Sequence, residues 1–229
     1  MDWYETEVRE LENARVEQRL PDNPVVFYGS STIRLWESLV EDLANPRALN
    51  LGFGGSTLEA CAYFFERLVL PVEPCSLVVY AGDNDLGDGR SPQEVLSFFR
   101  ALAAKVDRDL GGIEFAFISI KPSPARFNII DRIRMANRLI HEDIKLRRRG
   151  YFIDIFDAML DPEGNPQRKL FSEDGLHMSR RGYRLWAKLL SSYRHRIFTT
   201  DCSGIKRASL LLRGSESRIS PVVQPKPWP

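Results

Sequence analysis

Five continuous apolar runs, each followed by a helix-like pattern, restrict the possible folds of this chain more than any other feature. They are residues 24–29 (PVVFYG), 47–51 (RALNL), 76–81 (SLVVYA), 113–120 (IEFAFISI) and 151–155 (YFIDI). None alternates apolar with polar, so each reads as a strand covered on both faces. Strand alternating with helix predicts an α/β fold: a parallel sheet with helices on both sides and right-handed crossovers. In such sheets ligands sit beyond the carboxyl ends of the strands. Chemistry is therefore expected in the loops that follow residues 29, 51, 81, 120 and 155.

The helical segments carry their own signals. Residues 2–20 read as a peripheral helix rich in charge and ended by Pro21. In 57–69, Leu58, Cys61, Ala62 and Phe65 form an i, i+3, i+4, i+7 stripe. Ser91-Pro92-Gln93-Glu94 is a capping box with proline at the first helical position. Residues 126–148 place Ile130, Ile133, Ile140 and Ile144 on one face. Lys145, Arg147, Arg148 and Arg149 crowd its end, where the helix dipole favours them. A last helix is expected over about 179–197. The chain thus divides into an N-terminal helical extension (1–22), a domain over 23–198 and an irregular tail (199–229) rich in Ser, Pro and basic residues.

The 229 residues are 43% hydrophobic, enough to fill the core of one large α/β domain. A formal net charge of +1 leaves no basic footprint for nucleic acid. Cys61, Cys75 and Cys202 have no zinc-like or C-x-x-C spacing, which predicts reduced thiols and no structural metal. The first twenty residues have no apolar core of a signal peptide, and no run approaches a membrane span. These features together predict a cytoplasmic protein; oligomeric state is not readable.

The loops then supply chemistry in order. Gly29-Ser30-Ser31-Thr32 places two hydroxyls where a strand meets a helix; each also reads as an N-cap. Asn50 through Thr57 contains Gly52, Gly54 and Gly55, which let backbone approach a ligand or simply make a turn. Gly82-Asp83-Asn84-Asp85 offers the Asn84 amide as a donor. A calcium loop counted from Asp83 fails: position 5 is Gly87 and position 6 is Asp88 where glycine is needed. Lys121-Pro122-Ser123-Pro124 is stiff and carries one cation. Of the three histidines, His141 lies within a helix and reads as solvated, and His195 lies near the last helix end. His177 alone falls in a polar loop, three residues after Asp174. Acyl transfer by serine needs a hydroxyl, a base, an orienter for the base and oxyanion donors. These loops hold all four.

The same blocks resemble those of the SGNH (GDSL-type) serine hydrolases. Gly29-Ser30-Ser31 is similar to the Gly-Asp-Ser block, with Ser31 at the nucleophile position and Ser30 replacing the aspartate. The Asn50–Thr57 stretch resembles the glycine block, with Gly55 at the oxyanion position. Gly82-Asp83-Asn84-Asp85 is similar to Gly-x-Asn-Asp, with Asn84 at the oxyanion asparagine. Asp174-Gly175-Leu176-His177 matches Asp-x-x-His. The resemblance covers about residues 24–195. It implies a flavodoxin-like three-layer α/β/α fold, no metal, no organic cofactor and ester hydrolysis. It also implies Ser31, Asp174 and His177 as catalytic residues, with Ser31, Gly55 and Asn84 as oxyanion donors. The α/β-hydrolase elbow Gly-x-Ser-x-Gly does not fit, because residue 33 is Ile.

Ser30, Arg34, Phe53 and Lys121 are candidates for the substrate wall, as are Trp36 and Arg126. Trp36 reads equally as core, and Arg34 and Arg126 as surface charge. The absence of a long apolar lid favours a small acyl group, such as the acetyl of an acetylated carbohydrate. Lysophospholipase or thioesterase activity is the alternative substrate class. A silent binding module and a phosphate binder using the glycine loop are the alternatives to an enzyme.

Overall fold

A computed structural model of the chain describes residues 1–198; the expected tail over 199–229 lies outside the described residues. The strands are β1 (Val25–Gly29), β2 (Ala48–Gly52), β3 (Ser76–Tyr80), β4 (Glu114–Ile118) and β5 (Gly150–Ile153). They form one sheet in the order β2-β1-β3-β4-β5, every pair parallel. The helices are α1 (Glu5–Glu17), α2 (Ser31–Arg34), α3 (Leu39–Leu43), α4 (Leu58–Leu68), α5 (Asp83–Gly87), α6 (Pro92–Leu110), α7 (Ile130–Ile144), α8 (Arg180–Ser191) and α9 (Arg194–Ile197).

Side-chain alternation along each strand divides the core into two. Val26 and Tyr28 of β1, Leu77 and Val79 of β3, and Phe115 and Phe117 of β4 pack with α4, α6 and α7. Their neighbours Val25 and Phe27, Val78 and Tyr80, and Ala116 and Ile118 pack on the opposite face with Trp36, Trp186 and Leu190. This is the three-layer α/β/α arrangement, and burial on both faces explains why the strands read as unbroken apolar runs.

Local chemistry sets several helix starts. Thr57 accepts from the Ala60 N–H at 3.1 Å. The Ser91–Glu94 capping box forms in both directions. Ser179 caps α8 through the Gly182 N–H at 3.3 Å.

Other expectations are corrected. The 126–148 helix starts only at Ile130, after a 3-10 segment over Pro124–Ile129 in which Arg126 leaves helical geometry. Its basic end falls beyond the last turn; Arg147 pairs with Asp107, and Arg149 with Glu114 at 3.2 Å. The expected last helix breaks after Ser191 and resumes as α9. The Asp83–Gly87 stretch, expected as part of a loop, forms the short helix α5. His141 is half-buried and stacked on Phe152 at 4.5 Å rather than solvated. Cys61 is a buried free thiol. Cys75 is disulfide-bonded, against the expectation of reduced thiols. Spacing rules see only sequence-near pairs, whereas a disulfide needs proximity in space. Among the described residues no helix is long and apolar enough to cross a membrane.

β1 ends in the one glycine the fold most needs. Gly29 has φ of +138°, and a β-carbon there would lie 1.9 Å from the Tyr80 carbonyl oxygen. A side chain would both strain the backbone and force β1 and β3 apart. We expect Gly29→Ala to lower unfolding stability by on the order of 3 kcal/mol, the upper end of overpacking and positive-φ strain, as measured by urea denaturation.

Candidate active site

Where the strand order reverses around β1, the loops after β1, β2 and β3 meet. The Ser30 N–H donates to the Tyr80 carbonyl at 2.9 Å, and the Phe53 N–H donates to the Gly29 carbonyl at 2.9 Å. These bonds fasten the start of α2 to both neighbouring strand ends. Asn50 tightens the join, donating to the Ile33 carbonyl at 2.7 Å and accepting from the Gly52 N–H at 2.9 Å. From the far layer, Tyr183 of α8 donates to the Thr32 carbonyl at 2.9 Å. Ser31, the first residue of α2, is thus held although its helix has only four residues.

The Ser31 hydroxyl lies 3.1 Å from His177 Nε2. His177 Nδ1 lies 2.5 Å from Asp174 Oδ2. The other carboxylate oxygen, Oδ1, accepts from the Leu176 N–H at 2.9 Å and the His177 N–H at 3.0 Å. The Leu176 N–H is the main cause holding the Asp174 carboxyl down to about 2, with the imidazole contact adding to it. The loop is itself anchored. Ser172 N–H donates to the His177 carbonyl at 2.8 Å, and Ala125 N–H to the Gly175 carbonyl at 3.1 Å. With Asp174 on Nδ1, Nε2 is left to face the hydroxyl, and the three groups form one hydrogen-bonded line.

Gly55 and Asn84 stand on the adjoining loops. Gly55 is exposed with φ of +66°. Among the described residues no acceptor takes the N–H of Gly55 or of Ser31. The Asn84 amide nitrogen donates to the Ser56 carbonyl at 3.0 Å, and its oxygen accepts from Arg126 Nη2 at 3.1 Å. Arginine can only donate, so that contact fixes which end of the amide is which. Among the described residues the second N–H of Asn84 has no acceptor.

The candidates for the substrate wall divide. Phe53 and Trp36 are fully buried, Phe53 among Tyr4, Tyr28 and Phe64, and Trp36 stacked on Tyr183 at 5.1 Å. Lys121 is buried as well; it donates to Asp83 at 2.7 Å, to the Tyr80 hydroxyl at 3.0 Å and to Thr32 Oγ1 at 3.3 Å. Burial opposes its charge, but Asp83 and the Tyr80 hydroxyl together outweigh it, so its pKa lies above the usual lysine range. Each of these three has its partners within the core. Ser30 is also buried, and it makes no capping bond although it occupies the N-cap position. Arg34 is partly exposed and lies 3.7 Å from Glu7. Arg126 pairs with Asp83 at 3.2 Å while holding Asn84. That contact could not be read from the sequence, nor could those of Tyr4 and Glu7 with the glycine loop: Tyr4 donates to the Gly55 carbonyl at 3.2 Å, and Glu7 accepts from the Gly54 N–H. Asp83 and Asp85 of the rejected calcium loop both turn inward, Asp85 accepting from the Leu58 N–H at 2.9 Å.

The sheet order and the two helical layers are those of the three-layer α/β/α SGNH hydrolase fold. The profile of the GDSL-like Lipase/Acylhydrolase family matches residues 23–185, and the chain belongs to that family. Membership implies ester hydrolase activity. No curated protein matches the chain significantly. Several solved structures share the fold. A GDSL-like lipase from Bacteroides thetaiotaomicron is 19% identical with a TM-score of 0.67, the match covering 88% of this chain and 98% of that one. A lipase/acylhydrolase from Enterococcus faecalis is 20% identical with a TM-score of 0.57, covering 74% and 93%. A catalytic mutant of an acetylxylan esterase from Geobacillus stearothermophilus is 13% identical with a TM-score of 0.62, covering 78% and 95%.

Asp85 generates a stability prediction. Burial raises its carboxyl to about 6 from an ordinary 3.8. Between those values the folded chain keeps a proton that the unfolded chain has lost. The contribution of this group therefore favours folding at low pH and fades as pH rises through about 6. Denaturation at about pH 4.5 and about pH 6.5 should show wild-type stability falling relative to Asp85→Asn, which cannot ionise.

Proposed function

We propose that this chain is a serine esterase that cleaves carboxylic esters of small acyl groups through an acyl-enzyme on Ser31. The observation that carries this reading is the 3.1 Å contact between the Ser31 hydroxyl and His177 Nε2, across 146 residues of sequence. His177 Nε2 takes the proton as Oγ attacks the ester carbonyl. Asp174 holds the Nδ1 proton and stabilises the imidazolium. The N–H groups of Ser31 and Gly55 and the free N–H of Asn84 receive the charge that develops on the carbonyl oxygen. Collapse of the tetrahedral intermediate breaks the C–O bond, and His177 returns its proton to the departing alcohol. Water, deprotonated by His177, then attacks the acyl carbon and releases the acid and free Ser31.

The preferred substrate class is a short-chain ester such as an acetylated carbohydrate. Support comes from the sequence, which has no long apolar lid, and from the acetylxylan esterase among the structural neighbours. A lysophospholipid or a thioester is the alternative.

A fluorophosphonate probe should label wild type at Ser31 and leave Ser31→Ala unlabelled. Failure to label would turn the reading to a silent binding module. Ser31→Ala and His177→Ala should each lose on the order of 10⁶ in turnover, as other serine triads do. Asn84→Ala should lose about 10²–10³, typical of one oxyanion donor. Ser30→Ala should change little. An ester panel of graded acyl length, read as kcat/KM, should peak at acetyl; a peak at long chains would select the acylhydrolase alternative.

A further inference from the structure

The family match begins at residue 23, so the segment before it is not accounted for by membership. That segment nevertheless reaches the glycine loop at three consecutive residues. The Tyr4 ring meets Phe53 edge-on at 5.5 Å, and its hydroxyl donates to the Gly55 carbonyl at 3.2 Å. Between them, the Gly54 N–H donates to Glu7 Oε2. The approach is close: a β-carbon on Gly54 would lie 2.7 Å from Glu7 Oε1. Glu7 Oε1 also lies 3.7 Å from Arg34 Nη1, at the far end of the short helix that Ser31 begins.

The segment is well fixed to the body. Arg67 of α4 binds Glu5 at 2.7 Å and Glu12 at 2.8 Å, and Arg15 donates to the Arg67 carbonyl at 2.9 Å. Val8 is fully buried in the core. The segment is therefore a rigid mount, and Tyr4, just before α1, and Glu7 of α1 bond the loop that carries the Gly55 N–H.

We infer that Glu7 and Tyr4 are positioning residues for the oxyanion site, fixing the Gly54–Gly55 backbone so that the Gly55 N–H meets the developing oxyanion. This rests on the serine-esterase reading. Gly55 is exposed and has no acceptor for its N–H among the described residues, so its direction depends on bonds to its neighbours. The Gly54 N–H bond and the Gly55 carbonyl bond hold the two ends of that short stretch. Glu7 further couples it to α2 through Arg34. An aligned donor acts mainly in the transition state, so loosening it lowers kcat with little change in KM.

The test measures kcat and KM for p-nitrophenyl acetate in Glu7→Ala, Glu7→Gln and Tyr4→Phe. Each value is normalised to the fraction labelled at completion by a fluorophosphonate, which removes any loss from misfolded protein. Glu7→Ala should lose about 10–10² in kcat, less than the complete removal of one donor. Tyr4→Phe keeps the ring contacts and loses only the hydroxyl bond; it should lose several-fold, about 3–10, in kcat. Glu7→Gln retains an acceptor for the Gly54 N–H and should recover most of the activity lost in Glu7→Ala. Normalised kcat at the wild-type level in both Glu7→Ala and Tyr4→Phe would overturn the inference, as would a loss confined to KM or a Gln variant as poor as Ala. If wild type itself neither labels at Ser31 nor hydrolyses the ester, the esterase reading falls and takes this inference with it. Active, labelled wild type with unaffected variants removes the positioning role alone.

Discussion

The carboxyl end of β1 is bonded on both sides at once, and the rest of the site depends on that join. Gly29 pairs with Gly52 of β2 and with Tyr80 of β3. Just beyond, the Ser30 N–H bonds the Tyr80 carbonyl and the Phe53 N–H bonds the Gly29 carbonyl, both at 2.9 Å. Because the strands run parallel, these bonds bring three loops from distant sequence to one edge. Without a side chain at Gly29 the strands can close to this distance. The four residues of α2 could not hold Ser31 alone, since so short a helix lacks the cooperativity to persist in water.

Beneath the join lies a buried polar cluster. Lys121, Asp83 and Arg126 form two ion pairs, and Arg126 continues to the Asn84 amide. A buried pair is not strong evidence for stability, because desolvation offsets most of the Coulomb attraction. Its consequence here is orientation: with Arg126 on its oxygen, the Asn84 amide has one arrangement. In the proposed mechanism, the Asn84 side chain is thereby preset from behind, and the Gly55 backbone from the N-terminal segment. Preset donors need no reorganisation as charge develops, which is where enzymes of this kind gain most.

Much of this was legible because it is local. Continuous apolar runs marked all five strands, with ends shifted by a residue or two. Thr57, Ser91 and Ser179 start helices through bonds three residues long, which a sequence displays directly. Asp174 and His177 lie within one turn and do meet. The contacts that were not legible share a cause. Lys121 and Phe53 read as candidates for the wall because polar loops and glycine loops often face ligands. Their partners Asp83 and Tyr4 lie 38 and 49 residues away in sequence, and periodicity says nothing about such pairs. The helix over 126–148 lost its first turn because Arg126 leaves helical geometry where it reaches Asp83 and Asn84.

The sequence by itself determined the layered α/β architecture, the edge at which chemistry would gather, and the residue types present there. Those follow from hydrophobic burial on both faces of a strand and from hydrogen bonds among near neighbours. Only the tertiary structure decided that the Ser31 hydroxyl meets His177, that Lys121 turns inward to Asp83, and that Glu7 and Tyr4 reach the glycine loop. Each of those contacts joins segments far apart along the chain. Their geometry is set by how the layers pack, which no local pattern records.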